Sequence, residues 1–200
     1  MAAPSIKGTA FQSVVEDLRR LIEAGRLAPD ELELALEASD LRILDDKVLP
    51  GLWYPLASYQ RLTELLMRIE GGGRTDYVVA RGARAAERLF AAGVYQQLER
   101  GEAIGAEKRA RRESWSAHDG NLVASLAGAI FNVSRWRFAV EPGEAGASRI
   151  EVSEAAALPE VSRFAAQGFI EYTASRLGGA ARVTSERPSP DHIVFRIRRA

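Results

Sequence analysis

The side chains able to do chemistry are few. Two histidines, His118 and His192, are the only imidazoles in the chain, and there is no cysteine. Disulfides, zinc-thiolate sites, iron–sulfur ligation and thiol nucleophiles are thereby excluded. A zinc site without cysteine needs carboxylates at metal-ligand spacing, and neither histidine has a second one within a helical turn. Both read as loop or strand-edge residues, with His118 the better candidate for a haem or metal ligand because Trp115 lies one turn away. No Gly-x-Ser-x-Gly elbow is present for a serine nucleophile. The run Gly71 to Gly73 follows a helix and lacks the downstream Lys-Ser/Thr of a phosphate loop, so it reads as a helix stop. Asp45-Asp46 falls in a connection with no partner base. A dispersed acid–base set of Glu171, Glu186 and His192 is the one enzymatic alternative, the last two approaching if the final hairpin pairs around Pro188 to Pro190. The expectation is no enzyme, no catalytic residue, no metal and no cofactor.

Two other groups suggest binding. Lys108, Arg109, Arg111 and Arg112 form a basic cluster flanked by Glu107 and Glu113. It reads as a solvated helix end or, more sharply, as a docking patch for an acidic partner or phosphate. Aromatics bury large apolar area while tryptophan and tyrosine keep a polar handle. Trp53, Tyr54, Trp115 and Phe131 therefore read either as core or as the lining of a pocket for a hydrophobic or planar molecule, such as a lipid or tetrapyrrole.

Bulk properties narrow the partners. The 27 basic residues cancel 27 acidic ones, so no global field pulls the chain onto a polyanion, and nucleic acid is not expected. The first ten residues carry one lysine and no apolar core, unlike a signal peptide. No apolar run approaches the length of a membrane span. A cytoplasmic protein of one domain over 1–200 is expected.

The elements that must position these side chains follow from hydrophobic period. Phe11, Val14, Val15, Leu18, Leu21 and Ile22 repeat at helical spacing, with Gly25 suited to the C-terminal cap. Pro29 opens a second helix, and 40–50 reads as an irregular connection or short helix. Trp53-Tyr54-Pro55 breaks the chain before a helix carrying Tyr59, Leu62, Leu65, Leu66 and Ile69. A longer helix is predicted over 76–98. On it Gly82, Ala83 and Ala86 allow close approach by a neighbouring helix or another subunit, and they are the predicted homodimer contact. A small-residue helix is predicted over 122–131. Near Ser134 the period switches to two. Trp136, Phe138 and Val140 alternate with polar residues, a strand follows at 149–152, Pro159 opens a helix, and strands at 181–186 and 192–198 close the chain. The predicted class is α/β (α+β): a helical half, 11–131, layered on a small antiparallel sheet ordered β-β-α-β-β over 134–199.

Gly168, Glu171, Gly178-Gly179, Val183, Glu186 and Phe195-Arg196-Ile197 resemble the end of the vinyl-reductase-type domain, which shares its broad fold with haem-nitric-oxide-binding sensor domains and TRAPP tethering subunits. Lys7-Gly8 before Phe11, the Trp53-Tyr54-Pro55 break followed by Tyr59 and Leu62, and Arg81-Gly82-Ala83-Arg84 resemble an uncharacterised myxobacterial family of about this length. The resemblance implies ligand sensing or dimeric scaffolding, with a protein partner. Two departures stand out. The cysteines common in the last hairpin of vinyl-reductase-type domains are missing. So are the axial histidine and Tyr-Ser-Arg-type propionate clamp of the haem sensors, neither of which is visible around His118 or His192.

Overall fold

The computed structural model describes residues 3–93, 117–141 and 147–199, with backbone only at 117–119 and 178. The helical half comprises α1 (Gly8–Glu23), α2 (Pro29–Ala35), α3 (Ala38–Asp45), α4 (Leu56–Ile69), α5 (Thr75–Ala91) and α6 (Ala117–Gly128). Strands β3 (Arg135–Val140) and β4 (Ser148–Ser153), helix α7 (Glu160–Gly178), and strands β5 (Ala181–Ser189) and β6 (His192–Arg199) complete the β-β-α-β-β half. The sheet order is β3-β4-β6-β5, antiparallel throughout. This is the class that the period switch predicts.

Alternation sorts the sheet's two faces. Phe138, Ile150, Phe195 and Val152, Ile193, Ile197 point inward and are buried. Arg149, Arg196, Glu141 and Glu186 form an ion-paired row on the outer face. Trp136 stacks between Phe131 and Phe195, at centroid distances of 6.1 and 5.6 Å. The main hydrophobic core runs from Phe11, Leu18 and Leu62 to Ile150, Ile170 and Phe195, and a smaller cluster joins Ala86, Phe90 and Phe169.

Two features depart from the sequence expectations, and one alternative is decided. The first ten residues, for which no element is predicted, contain a strand, β1 (Ser5–Lys7), paired antiparallel with β2 (Trp53–Pro55). Ile6 also bridges Phe131, and Lys7 N donates to Ile130 O, so β1 joins the start of the chain to the entry of the sheet. Second, α5 ends at Ala91 instead of continuing to 98. Gly93 takes φ +70°, and its N–H closes onto Phe90 O, a glycine stop of the usual left-handed kind. The stretch 40–50, left open between an irregular connection and a short helix, is helical in its first half as α3, where Asp40 accepts the Glu37 N–H at the helix start.

The helices α5 and α7 cross backbone to backbone. A Cβ on Gly82 would lie 1.9 Å from Ala165 O, and one on Gly168 1.8 Å from Val79 O. Gly82 and Ala86 are thus buried against α7 of the same chain, with Ala83 half-buried beside them. The small-residue surface that the sequence reading gives to a second subunit is occupied from within the chain.

Candidate functional site

At their crossing, α5 and α7 meet α1, α4 and Phe131 around a cavity of about 70 Å³. Helical periodicity places its lining. Val78, Arg81, Gly82 and Ala85 on α5, and Ser162, Ala165, Ala166 and Phe169 on α7, are both i, i+3, i+4, i+7 rows. Tyr59 and Thr63, one turn apart on α4, close a third side, and Ile6 and Phe131 a fourth.

Two hydroxyls make this cavity unusual. Thr63 Oγ1 and Ser162 Oγ are buried there, in residues 1% and 2% exposed; neither makes a hydrogen bond of good geometry, although the Tyr59 hydroxyl lies within reach of Thr63 Oγ1. A buried hydroxyl without a partner costs about 1–3 kcal/mol, and this cavity is lined by two, one from α4 and one from α7. Tyr59 lies beside Thr63. Burial raises the phenol above its usual pKa against opposing effects of Arg81 and Thr63, so it stays neutral.

Arg81 is the charged member of the lining and is only 8% exposed. Its Nη1 donates to Asp17 Oδ2 on α1 and, at 3.5 Å, to the Tyr77 hydroxyl, which in turn donates to Glu70 Oε2 at 2.6 Å. Burial acts to lower the pKa of Arg81, but the Asp17 carboxylate outweighs it and the guanidinium stays charged. The cavity wall therefore carries a neutralised ion pair.

The sequence-predicted site residues scatter. Phe131 lines the cavity. Tyr54 stacks on Phe11 at 4.9 Å, and its hydroxyl accepts the Leu49 N–H. Trp53 is 44% exposed, with Lys7 Nζ 4.3 Å from its ring. Ile6 stands between Tyr54 and Phe131, paired with both, so these aromatics do not enclose one pocket. Trp115 and the basic cluster Lys108, Arg109, Arg111 and Arg112 lie outside the described residues, as does the His118 side chain. The acid–base alternative does not assemble either. Glu171 accepts the Val183 N–H at 2.8 Å, Glu186 pairs with Arg196, and His192 is half-buried at the hairpin turn. Thr63, Ser162 and Arg81 were not candidates from sequence. The only signal was weak: hydroxyls within otherwise apolar helix faces.

No protein-family model matches the chain, and no curated protein sequence does. Solved structures do. An H-NOX protein from S. oneidensis in the Fe(II) ligation state, a triple mutant, superposes with TM-score 0.55 at 14% identity, over 96% of this chain and 95% of that one. The Fe(II) unliganded H-NOX protein from K. algicida gives 0.52 at 14% identity, over 98% and 97%, and its single-site mutant 0.51 at 12%, over the same shares. The chain has the H-NOX α+β fold.

Proposed function

We propose that this protein is a non-enzymatic sensor or protein-interaction module, and that the cavity between α4, α5 and α7 receives its signal. The observation that carries the reading is that Thr63 Oγ1 on α4 and Ser162 Oγ on α7, neither with a hydrogen bond of good geometry, line one cavity. Packing alone would favour apolar groups there. The likeness to H-NOX proteins supports a sensing role, and the closing helix and hairpin support a nearer kinship to vinyl-reductase-type domains. The lining helices α5 and α7 reach the surface, and through it the signal passes to a second copy or another protein.

A tetrapyrrole, which the fold family implies, does not fit the cavity at Thr63 and Ser162. The cavity is far below the roughly 300 Å³ at which cofactor-sized pockets begin. At the Gly82–Ala165 and Gly168–Val79 contacts, α5 and α7 lie too close to admit a planar ring. His192 sits at the β5–β6 turn, away from the cavity lining.

Hydrogen-exchange mass spectrometry tests the reading. The low-mass fraction of an extract from the protein's own host slows exchange in α5 and α7 of the wild type. It has no effect on Ala127→Leu, which fills the cavity. An extract that alters exchange in neither protein sinks the sensor role.

A further inference from the structure

We propose that the cavity at Thr63 and Ser162 accepts a short, neutral, amphipathic molecule, one hydrogen-bonding end on a small apolar tail, as in a low-mass alcohol, ketone or amide. The inference builds on the sensor reading and gives that site its ligand class.

Size sets the first limit. A volume of about 70 Å³ is about half the ~150 Å³ that holds a benzene ring, which leaves room for on the order of three to five heavy atoms. Charge sets the second. Arg81 lines the cavity with its charge already engaged by Asp17, which lies outside the lining and also pairs with Arg20, so a cation would face the guanidinium and an anion would have to compete with Asp17 for it. A neutral ligand avoids both penalties.

Polarity sets the third. The hydroxyls of Thr63 and Ser162 come from α4 and α7, while Ile6, Val78, Ala127 and Phe131 offer only carbon. The competing occupant is water, of which about two would fill the space at ~30 Å³ each. Buried water usually makes about three hydrogen bonds; Ser13, Tyr59, Thr63 and Ser162 bring hydroxyls to the lining, while Ile6, Val78, Ala127 and Phe131 form walls that offer none. An alcohol needs its one hydroxyl matched and sets its carbons against those same walls.

The test uses the full chain, methyl-detected NMR, and two probes, 1-propanol and xenon. Xenon is of similar size and forms no hydrogen bond. Both probes shift the Ile6 and Val78 methyls saturably in the wild type. Thr63→Val/Ser162→Ala keeps xenon and loses 1-propanol affinity tenfold or more. Equal propanol affinity in both proteins overturns the proposal, as does a wild type whose methyls ignore propanol while water stays in the cavity. Should the double variant fail to fold, Ser162→Ala alone decides, with a threefold loss expected and no loss contradicting it. An extract that slows exchange where propanol does not bind removes this ligand class and keeps the sensor. Bound propanol beside an inert extract keeps the site and removes the sensor role.

Discussion

Gly82 on α5 and Ala165 on α7 meet with no side chain between them: a Cβ at Gly82 would fall 1.9 Å from the Ala165 carbonyl oxygen. The reciprocal contact, Gly168 with Val79 O, lies one turn along. Because a backbone carbonyl cannot rotate aside, Gly82→Ala must push the two helices apart. A loss of about 3 kcal/mol or more is expected, at the upper end for overpacking. Gly72→Ala, at φ +58° but with open space around it, should cost only about 1 kcal/mol. Urea denaturation of both variants checks the contrast, and similar losses would show that the crossing tolerates a methyl.

Asp40 is fully buried at the start of α3 and accepts Arg61 Nε at 2.6 Å and Nη2 at 3.0 Å. Burial raises its pKa, but hydrogen bonds from Arg61, Ser58 and the Glu37 amide outweigh this and hold it below the usual carboxylate range. A depressed folded-state pKa gives stability that is present above the unfolded value, about 3.9, and lost as pH falls through the lower folded value. Acid titration of stability should therefore show a loss beginning near pH 4. Asp40→Asn should cost about 2 kcal/mol at pH 7 and flatten that loss; this is below the full buried-pair figure because Arg61 stays partly exposed. Identical acid profiles would dismiss the pair as its source.

Thr63→Val exchanges an unpartnered buried hydroxyl for a methyl of the same shape. In ligand-free protein it should raise stability by about 1 kcal/mol. Loss of stability would mean that Thr63 Oγ1 already has a partner in solution.

Arg187 forks across three carbonyls, donating to Ala155 O at 3.2 Å, Pro190 O at 2.8 Å and Leu158 O at 2.6 Å, while its Nε meets Glu160. Lysine has neither the planar fork nor enough donors in fixed geometry. Arg187→Lys should speed amide exchange at 155–158 at least tenfold and leave α1 unchanged. Uniform exchange across the chain would show that the fork is dispensable.

These contacts also show what the sequence could and could not disclose. The alternation of Trp136, Phe138 and Val140 against charged neighbours, and of Ile193, Phe195 and Ile197, is a local signal, and the sheet lies where it points. Ser5-Ile6-Lys7 is too short to display any period, and its partners, Tyr54 and Phe131, are distant in the chain, so β1 was invisible. Gly82 and Ala86 advertised a close approach, but spacing does not say whether the approaching helix is covalently connected. Thr63 and Ser162 look like ordinary helix hydroxyls. Their lack of a partner is a property of tertiary packing, and it arises only once α4 and α7 are side by side.

The position of Ile6 has a consequence for how the molecule is made. Its strand is held between Tyr54 on one side and Phe131 on the other, and Asn132 clasps the Ser5 and Ala3 backbone. A polypeptide leaving the ribosome thus exposes one edge of this strand until more than half of the chain has been translated. Helices α1 to α5 can gather around Leu18 and Leu62 in the meantime, but the enclosure of Ile6 awaits Phe131. Vectorial synthesis therefore holds the first strand half-paired, a window in which a chaperone or a second nascent chain finds an open edge.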